Sequence, residues 1–294
     1  MKLGIVVVYL VREEDEKLLD LHLRQIEEHT QVPYTIYCSV NRLLPKFRSK
    51  LEQHPKIRIC DCPTTGLRDA PEHSFYLEHL VGCAIADGVS HVVTLHVDSF
   101  PLRSGWAETL DGKLSDTTVF ATTGYGPYTA CLFFRRDWYL NHHPRFLLTE
   151  AERASSEYKL FSQSVRHMVH SGAGYLFKAY TKGLAWYSLT QSNEDTTLGT
   201  VYDDLIFHLY GLVRNASEPF NRNSLLGQPG YVLLLNRVRA LSRKIIPNSI
   251  KRYLWRRHGR TLGRTLDRPA FEYAKDQLKE DPESYLRSLR TGKR

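Results

Sequence analysis

Two short runs hold residue types able to do chemistry. The first is Val92-Val93-Thr94-Leu95-His96-Val97-Asp98-Ser99-Phe100-Pro101, which reads as an apolar strand carrying a carboxylate at its end. Side chains alternate along a strand, so Thr94, His96 and Asp98 share one face and Val93, Leu95 and Val97 the other. Parallel α/β proteins bind ligands at the carboxyl ends of their strands, which would put Asp98 at the ligand edge. A carboxylate there can hold Mg2+ or Mn2+ to neutralise a nucleoside diphosphate during group transfer. The imidazole of His96 suits Mn2+ better than Mg2+. The plainer alternatives are that Asp98 caps the turn after the strand and that His96 is a hydrogen-bonded histidine lining the cleft.

The second run is Val201-Tyr202-Asp203-Asp204-Leu205-Ile206-Phe207-His208. Read as the start of a helix over 202–213, it places Asp204 and His208 four apart on one face. The plainer alternative is an acidic helix start followed by a half-buried histidine.

The elements that must position these groups follow from periodicity. Leu3 to Leu10 is a continuous apolar run rich in β-branched residues, the pattern of a strand covered on both faces. Asp15 to His29 carries Leu19, Leu23 and Ile26 at helical spacing. Strands over 34–41 and 56–62 follow, with a short helix over 46–53 between them. A loop over 63–70 leads to a helix over 71–87, with Asp69 and Glu72 spaced to cap it. The motif strand spans 91–99, and Pro101 ends its ladder. Further strands fall at 119–123 and 129–135, around Gly124-Tyr125-Gly126-Pro127, and helices at 156–170 and 202–213. Strands alternating with helices imply a mostly parallel sheet flanked by helices. The polar segment 221–230 divides a domain of residues 1–220 from an extension of residues 221–294.

Several function classes lose their signature. No glycine-rich turn follows the first strand, and there is no Walker-type phosphate loop or Gly-x-Ser-x-Gly elbow. The five cysteines are odd in number and fall in apolar segments, so they read as reduced core thiols; Cys60-Asp61-Cys62 lacks the second pair that a zinc site needs. At 42% hydrophobic and 24% charged residues the composition is that of a globular chain. No apolar run approaches the roughly 20 residues of a membrane span. The first apolar run leads straight into Glu13-Glu14-Asp15-Glu16, unlike a secretory signal, so the expected compartment is the cytoplasm.

With these residues in place, the chain resembles the GT-A glycosyltransferases, close to family 2. Their signature is an Asp-x-Asp closing an apolar strand about a hundred residues into a βαβ-rich domain. Thr94 to Pro101, followed by Gly105-Trp106, looks like a degenerate variant found in bacterial members, with His96 where the first aspartate is expected. The resemblance covers roughly residues 3–215. It implies a GT-A-like α/β fold, a nucleotide-sugar donor, a glycan or lipid-linked acceptor, and Mn2+ or Mg2+ held by His96, Asp98 and His208. It also implies that Asp203 or Asp204 is the base for an inverting transfer. The strand ends at Val8-Tyr9 and Asn41 would bracket the nucleotide base, and Gly66 and Arg68 would approach a phosphate.

The net charge of +8 is concentrated late in the chain. From Pro219 to Leu266 there is no acidic residue, while eleven arginines and lysines fall there. Leu234, Val238, Leu241 and Ile245 form an apolar stripe beside Arg237, Arg239, Arg243 and Lys244. Such basic amphipathic helices can lie on anionic bilayers, with about 1 kcal/mol per basic residue near the surface, which suggests peripheral placement on the inner membrane face. The alternative is that the stripe packs on the core. Two other readings stand beside transfer: a GT-A-fold binding protein without catalysis, and a nucleic-acid-binding protein acting through this segment. The second lacks any recognised binding signature.

Overall fold

The computed structural model describes residues 1–41, 43–67, 69–123, 128–164, 171–193, 199–209 and 268–290. The chain divides into two compact units: Met1–Gln191 with Tyr202–His208, and Ser192–Val201 with Leu209–Arg294. The expected boundary at 220/221 and the basic stripe lie outside the described residues.

The first unit is built on seven strands in the order β3-β2-β1-β4-β7-β6-β8. These are β1 (Leu3–Val8), β2 (Tyr34–Ser39), β3 (Ile57–Ile59), β4 (His91–Leu95), β6 (Thr118–Thr123), β7 (Cys131–Arg135) and β8 (Ala185–Leu189). Strands β1 to β4 pair in parallel, β7 lies antiparallel to both β4 and β6, and β8 is parallel to β6. This is the mixed, mostly parallel, helix-flanked sheet expected of a GT-A-like fold. Strand order reverses between β1 and β4, and a reversal of this kind opens a crevice beyond the carboxyl ends of the strands.

Helix packing explains why β1 can be so apolar. Leu3, Ile5, Val6 and Val7 are buried in a strand covered on both faces. Helix α1 (Glu16–His29) buries Leu18, Leu19, Leu21, Leu23 and Ile26. Its C-cap residue Thr30 accepts a hydrogen bond from Trp106 Nε1 at 3.1 Å, which ties α1 to α4 (Trp106–Asp111). Helix α2 (Pro45–Glu52) buries Phe47 and Leu51. Helix α3 (Asp69–Ala86) presses on β1 at Gly4, where an added Cβ would stand 3.1 Å from that of Ala84. Glycine is required there by close approach. Farther along the sheet, Phe120, Phe134, Trp138, Phe146 and Tyr175 form an aromatic core, with tilted and edge-on pairs such as Phe146–Tyr175 at 4.7 Å.

The elements expected through β4 form within a few residues of their predicted positions, while two expectations are corrected. The motif strand stops at Leu95, and Ser99–Pro101 forms a separate strand, β5, after a turn. The helix expected over 202–213 does not form at its start. Thr200–Tyr202 is strand β9, Ile206–His208 is strand β10, and β10 pairs antiparallel with β5. Between them Asp203 and Asp204 have φ of 49° and 53°, and Leu205 N–H donates to Tyr202 C=O at 2.8 Å. Positive φ at both central residues marks the primed type of hairpin turn, a conformation that aspartate tolerates better than most residues.

In the second unit, residues 268–290 form two helices, Arg268–Glu280 and Pro282–Arg290. Asp281 caps the second by accepting from Ser284 N–H at 3.0 Å, and Pro282 takes the first helical position.

Candidate metal centre

The turn after β4 is held from several sides. Ser99 N–H donates to His96 C=O at 2.9 Å, closing the turn around Val97 and Asp98. The buried Ser99 hydroxyl accepts from His96 N–H and donates to Ala130 C=O, both at 2.7 Å. Thr94 Oγ1 donates to Thr129 C=O at 2.8 Å, so the end of β4 is stitched to the turn that begins β7. On the far side, β10 pairs with β5 and sets His208 opposite Ser99. Two histidines and one aspartate therefore meet where a turn and a strand pair converge.

Asp98 Oδ1 lies 3.6 Å from His208 Nε2 and 3.9 Å from His96 Nδ1. One donor atom from each of the three residues falls within 4.8 Å of the others, and among the described residues this is the one such group of histidine, cysteine and acidic side chains. The aspartate–histidine distances are too long for hydrogen bonds. Two donors each about 2.1 Å from a shared cation stand at most about 4.2 Å apart, which both distances satisfy. His208 and Asp98 are buried, whereas the His96 side chain is 20% exposed and leaves one side of the group accessible. His96 Nε2 sits 3.0 Å from Thr129 Oγ1. With Nε2–H donating to that hydroxyl, Nδ1 is the basic nitrogen on the Asp98 side. Two imidazoles with one carboxylate fit a transition-metal dication better than Mg2+.

The structure adds residues that the periodicity did not single out. His73, on the first turns of α3, packs edge-on against His96 with centroids 5.1 Å apart. Its Nδ1 is 3.4 Å from Ser171 Oγ. Gly172 follows at φ 98°, close against Tyr128, and carries this loop onto the wall that holds His96. His22 on α1 is fully buried, with Nδ1 3.0 Å from Ser99 C=O and its ring edge-on to Tyr9 at 5.7 Å. Burial lowers the His22 pKa to about 4, against the weaker opposing effects of Ser99 C=O and Asp98. The signal that could have found it is a histidine inside the apolar stripe of α1. Thr129 has no comparable signal.

The other expected residues separate into groups. Val8 and Tyr9 end β1, with Tyr9 N–H donating to Ser39 C=O at 3.3 Å and the Tyr9 ring buried. Asn41 accepts from Ser39 Oγ and donates to Cys62 C=O, both at 2.9 Å, knitting the end of β2 to the segment after β3. Gly66 is exposed with open space around it, and Arg68 lies outside the described residues. Asp203 and Asp204 are not among the three residues whose donor atoms cluster. Asp203 Oδ1 accepts from Thr190 N–H at 2.8 Å and from Thr190 Oγ1 at 2.6 Å, a commitment to the turn. The cysteines are free thiols; burial raises Cys38 to about 12 and Cys62 to about 11, which keeps them protonated.

Among the described residues no helix is long and apolar enough to cross a membrane. No family model matches the chain, and no curated protein does. Solved structures do share similarity with it. One is the mannosyltransferase PcManGT from Pyrobaculum calidifontis in complex with GDP-Man and Mn2+, at 10% identity and a TM-score of 0.42 over 63% of this chain and 54% of that one. Another is S. aureus TarS, also solved with UDP, at 12% identity and a TM-score of 0.36 over 61% and 55%. A third is a nucleotide-diphospho-sugar transferase, so titled as putative, from Desulfovibrio desulfuricans, at 14% identity and a TM-score of 0.40 over 82% and 97%. The chain spans about half the length of the first two.

Proposed function

We propose that this chain is a glycosyltransferase that uses a nucleotide-diphosphate sugar and a divalent cation held by His96, Asp98 and His208. The observation that carries this reading is the convergence of those three side chains beyond the carboxyl end of β4, beside the reversal of strand order. A dication there supplies Lewis-acid neutralisation of the departing diphosphate. His208 and Asp98 bind from the buried side, and His96, oriented by Thr129, binds from the open side. The β1 and β2 ends at Val8, Tyr9 and Asn41 form the neighbouring edge for the nucleotide. The acceptor is a glycan or a lipid-linked saccharide, and the basic segment 219–266 favours an anionic membrane surface. Asp203 is bonded to Thr190 and Asp204 is exposed in the same turn, and this reading rests on neither as the base of an inverting transfer.

A thermal-shift panel of UDP, GDP, CMP and their sugar conjugates, with and without Mn2+, tests the reading. A ligand at a hundred times its Kd adds about 2.7 kcal/mol of stability. The expected result is a Mn2+-dependent shift with one nucleotide, lost in Asp98→Ala; no shift with any nucleotide overturns it. A second reading, a donor-binding GT-A-like protein that does not transfer, is favoured by the single carboxylate of the triad. Metal-stimulated release of nucleoside diphosphate from the donor, abolished in Asp98→Ala, rules that out.

A further inference from the structure

We propose that His22 is a positioning residue for the metal centre, holding the His96–Ser99 turn from helix α1 so that Asp98 meets His96 and His208. The inference rests on the metal reading of the triad. It starts from a local rule that the sequence breaks. Position 22 lies among Leu18, Leu19, Leu21, Leu23 and Ile26 on the buried side of α1, where an apolar side chain would pack without a polar penalty. A histidine stands there instead, wholly buried, and its described hydrogen bond goes to the carbonyl of Ser99, the residue after Asp98. A carbonyl only accepts, so Nδ1 carries the proton. A residue that breaks its helix's pattern is expected where a site needs it.

The bond matters because Ser99 is the keystone of the turn. Its N–H closes on His96, its hydroxyl joins His96 to Ala130, and its carbonyl receives His22. Without Nδ1–H the Ser99 carbonyl loses a donor inside the core, and the adjoining peptide can rotate. Asp98 would then move relative to His208, which stands on the partner strand β10 opposite Ser99. The opposite nitrogen, His22 Nε2, and the Tyr9 hydroxyl are both buried without a hydrogen-bond partner among the described residues. The two rings pack edge-on against each other at 5.7 Å, and the polar contact that the histidine adds to this packing is its link to Ser99.

The test measures Mn2+ binding by electron paramagnetic resonance alongside the melting temperature, in wild type, His22→Leu, His22→Met and His22→Asn. Loss of a residue that orients a ligand costs roughly 10–100-fold in metal affinity. The account expects the leucine and methionine variants to lose affinity in that range while melting at or above the wild-type temperature. Asparagine, which keeps a donor near the Nδ1 position, restores most of the affinity. A leucine variant that binds Mn2+ as wild type does overturns the inference; should it fail to fold, the methionine variant decides in the same way. Affinity and melting temperature falling together in all three variants, asparagine included, also overturn it, because that is the pattern of simple core damage. Wild-type protein that binds no Mn2+ overturns the metal reading first, and this inference with it.

Discussion

The turns at His96–Ser99 and Tyr202–Leu205 both present carboxylates, and they put them to opposite uses. In the first, Asp98 is buried between two imidazoles at 3.6 and 3.9 Å, contacts suited to a shared cation. The turn itself is held by the backbone of His96 and the side chain of Ser99. In the second, the aspartates are the structure. Both adopt positive φ, and Asp203 accepts two hydrogen bonds from Thr190. The Tyr187 hydroxyl nearby is pushed up, mainly by burial and further by the Asp203 carboxylate. A carboxylate is available for chemistry where other groups do the architectural work, and unavailable where it does that work itself.

Four substitutions probe this contrast in order of falling effect. Asp98→Ala should lower Mn2+ affinity by more than the roughly 10–100-fold typical of outer-shell changes, measured by calorimetric titration. His208→Ala should also weaken Mn2+ binding, and because the ring is buried it should cost about 2–5 kcal/mol of stability in denaturant unfolding. Asp203→Ala should leave Mn2+ affinity unchanged while costing about 1–3 kcal/mol, from lost hydrogen bonds and a left-handed alanine. Asp204→Asn keeps a residue that tolerates the left-handed region and removes an exposed charge. Stability should stay within about 0.5 kcal/mol, and turnover should match wild type. Loss of turnover in that last variant would break the comparison, by showing that the second turn does chemistry after all.

Much of the fold was legible in the sequence and less of the site. The run from β1 to β4 announces itself because strands covered on both faces are uniformly apolar and their helices carry clear stripes. The break after Leu95 was not legible, since His96 to Phe100 continues the alternation of a strand. What accompanies the break is a set of long-range bonds from Thr94 and Ser99 to the carbonyls of Thr129 and Ala130, and these do not register as a local pattern. The helix expected from Tyr202 fails for a related reason. Spacing of four between Asp204 and His208 fits a helix face, yet two adjacent aspartates suit a tight turn, and Val201-Tyr202 and Ile206-Phe207 suit strands. His208 is nevertheless brought to Asp98, by a strand pair instead of a helix. His73 and His22 were hidden because helix-borne histidines more often pack than bind. Their part emerges only when α3 and α1 are placed against the turn.

The most direct measurement is pulsed electron paramagnetic resonance on the Mn2+-loaded protein, reading nitrogen couplings to the ion. The account predicts couplings from two imidazole nitrogens, one lost in His96→Ala and the other in His208→Ala. A spectrum of fully hydrated Mn2+, unchanged by either substitution, would contradict it.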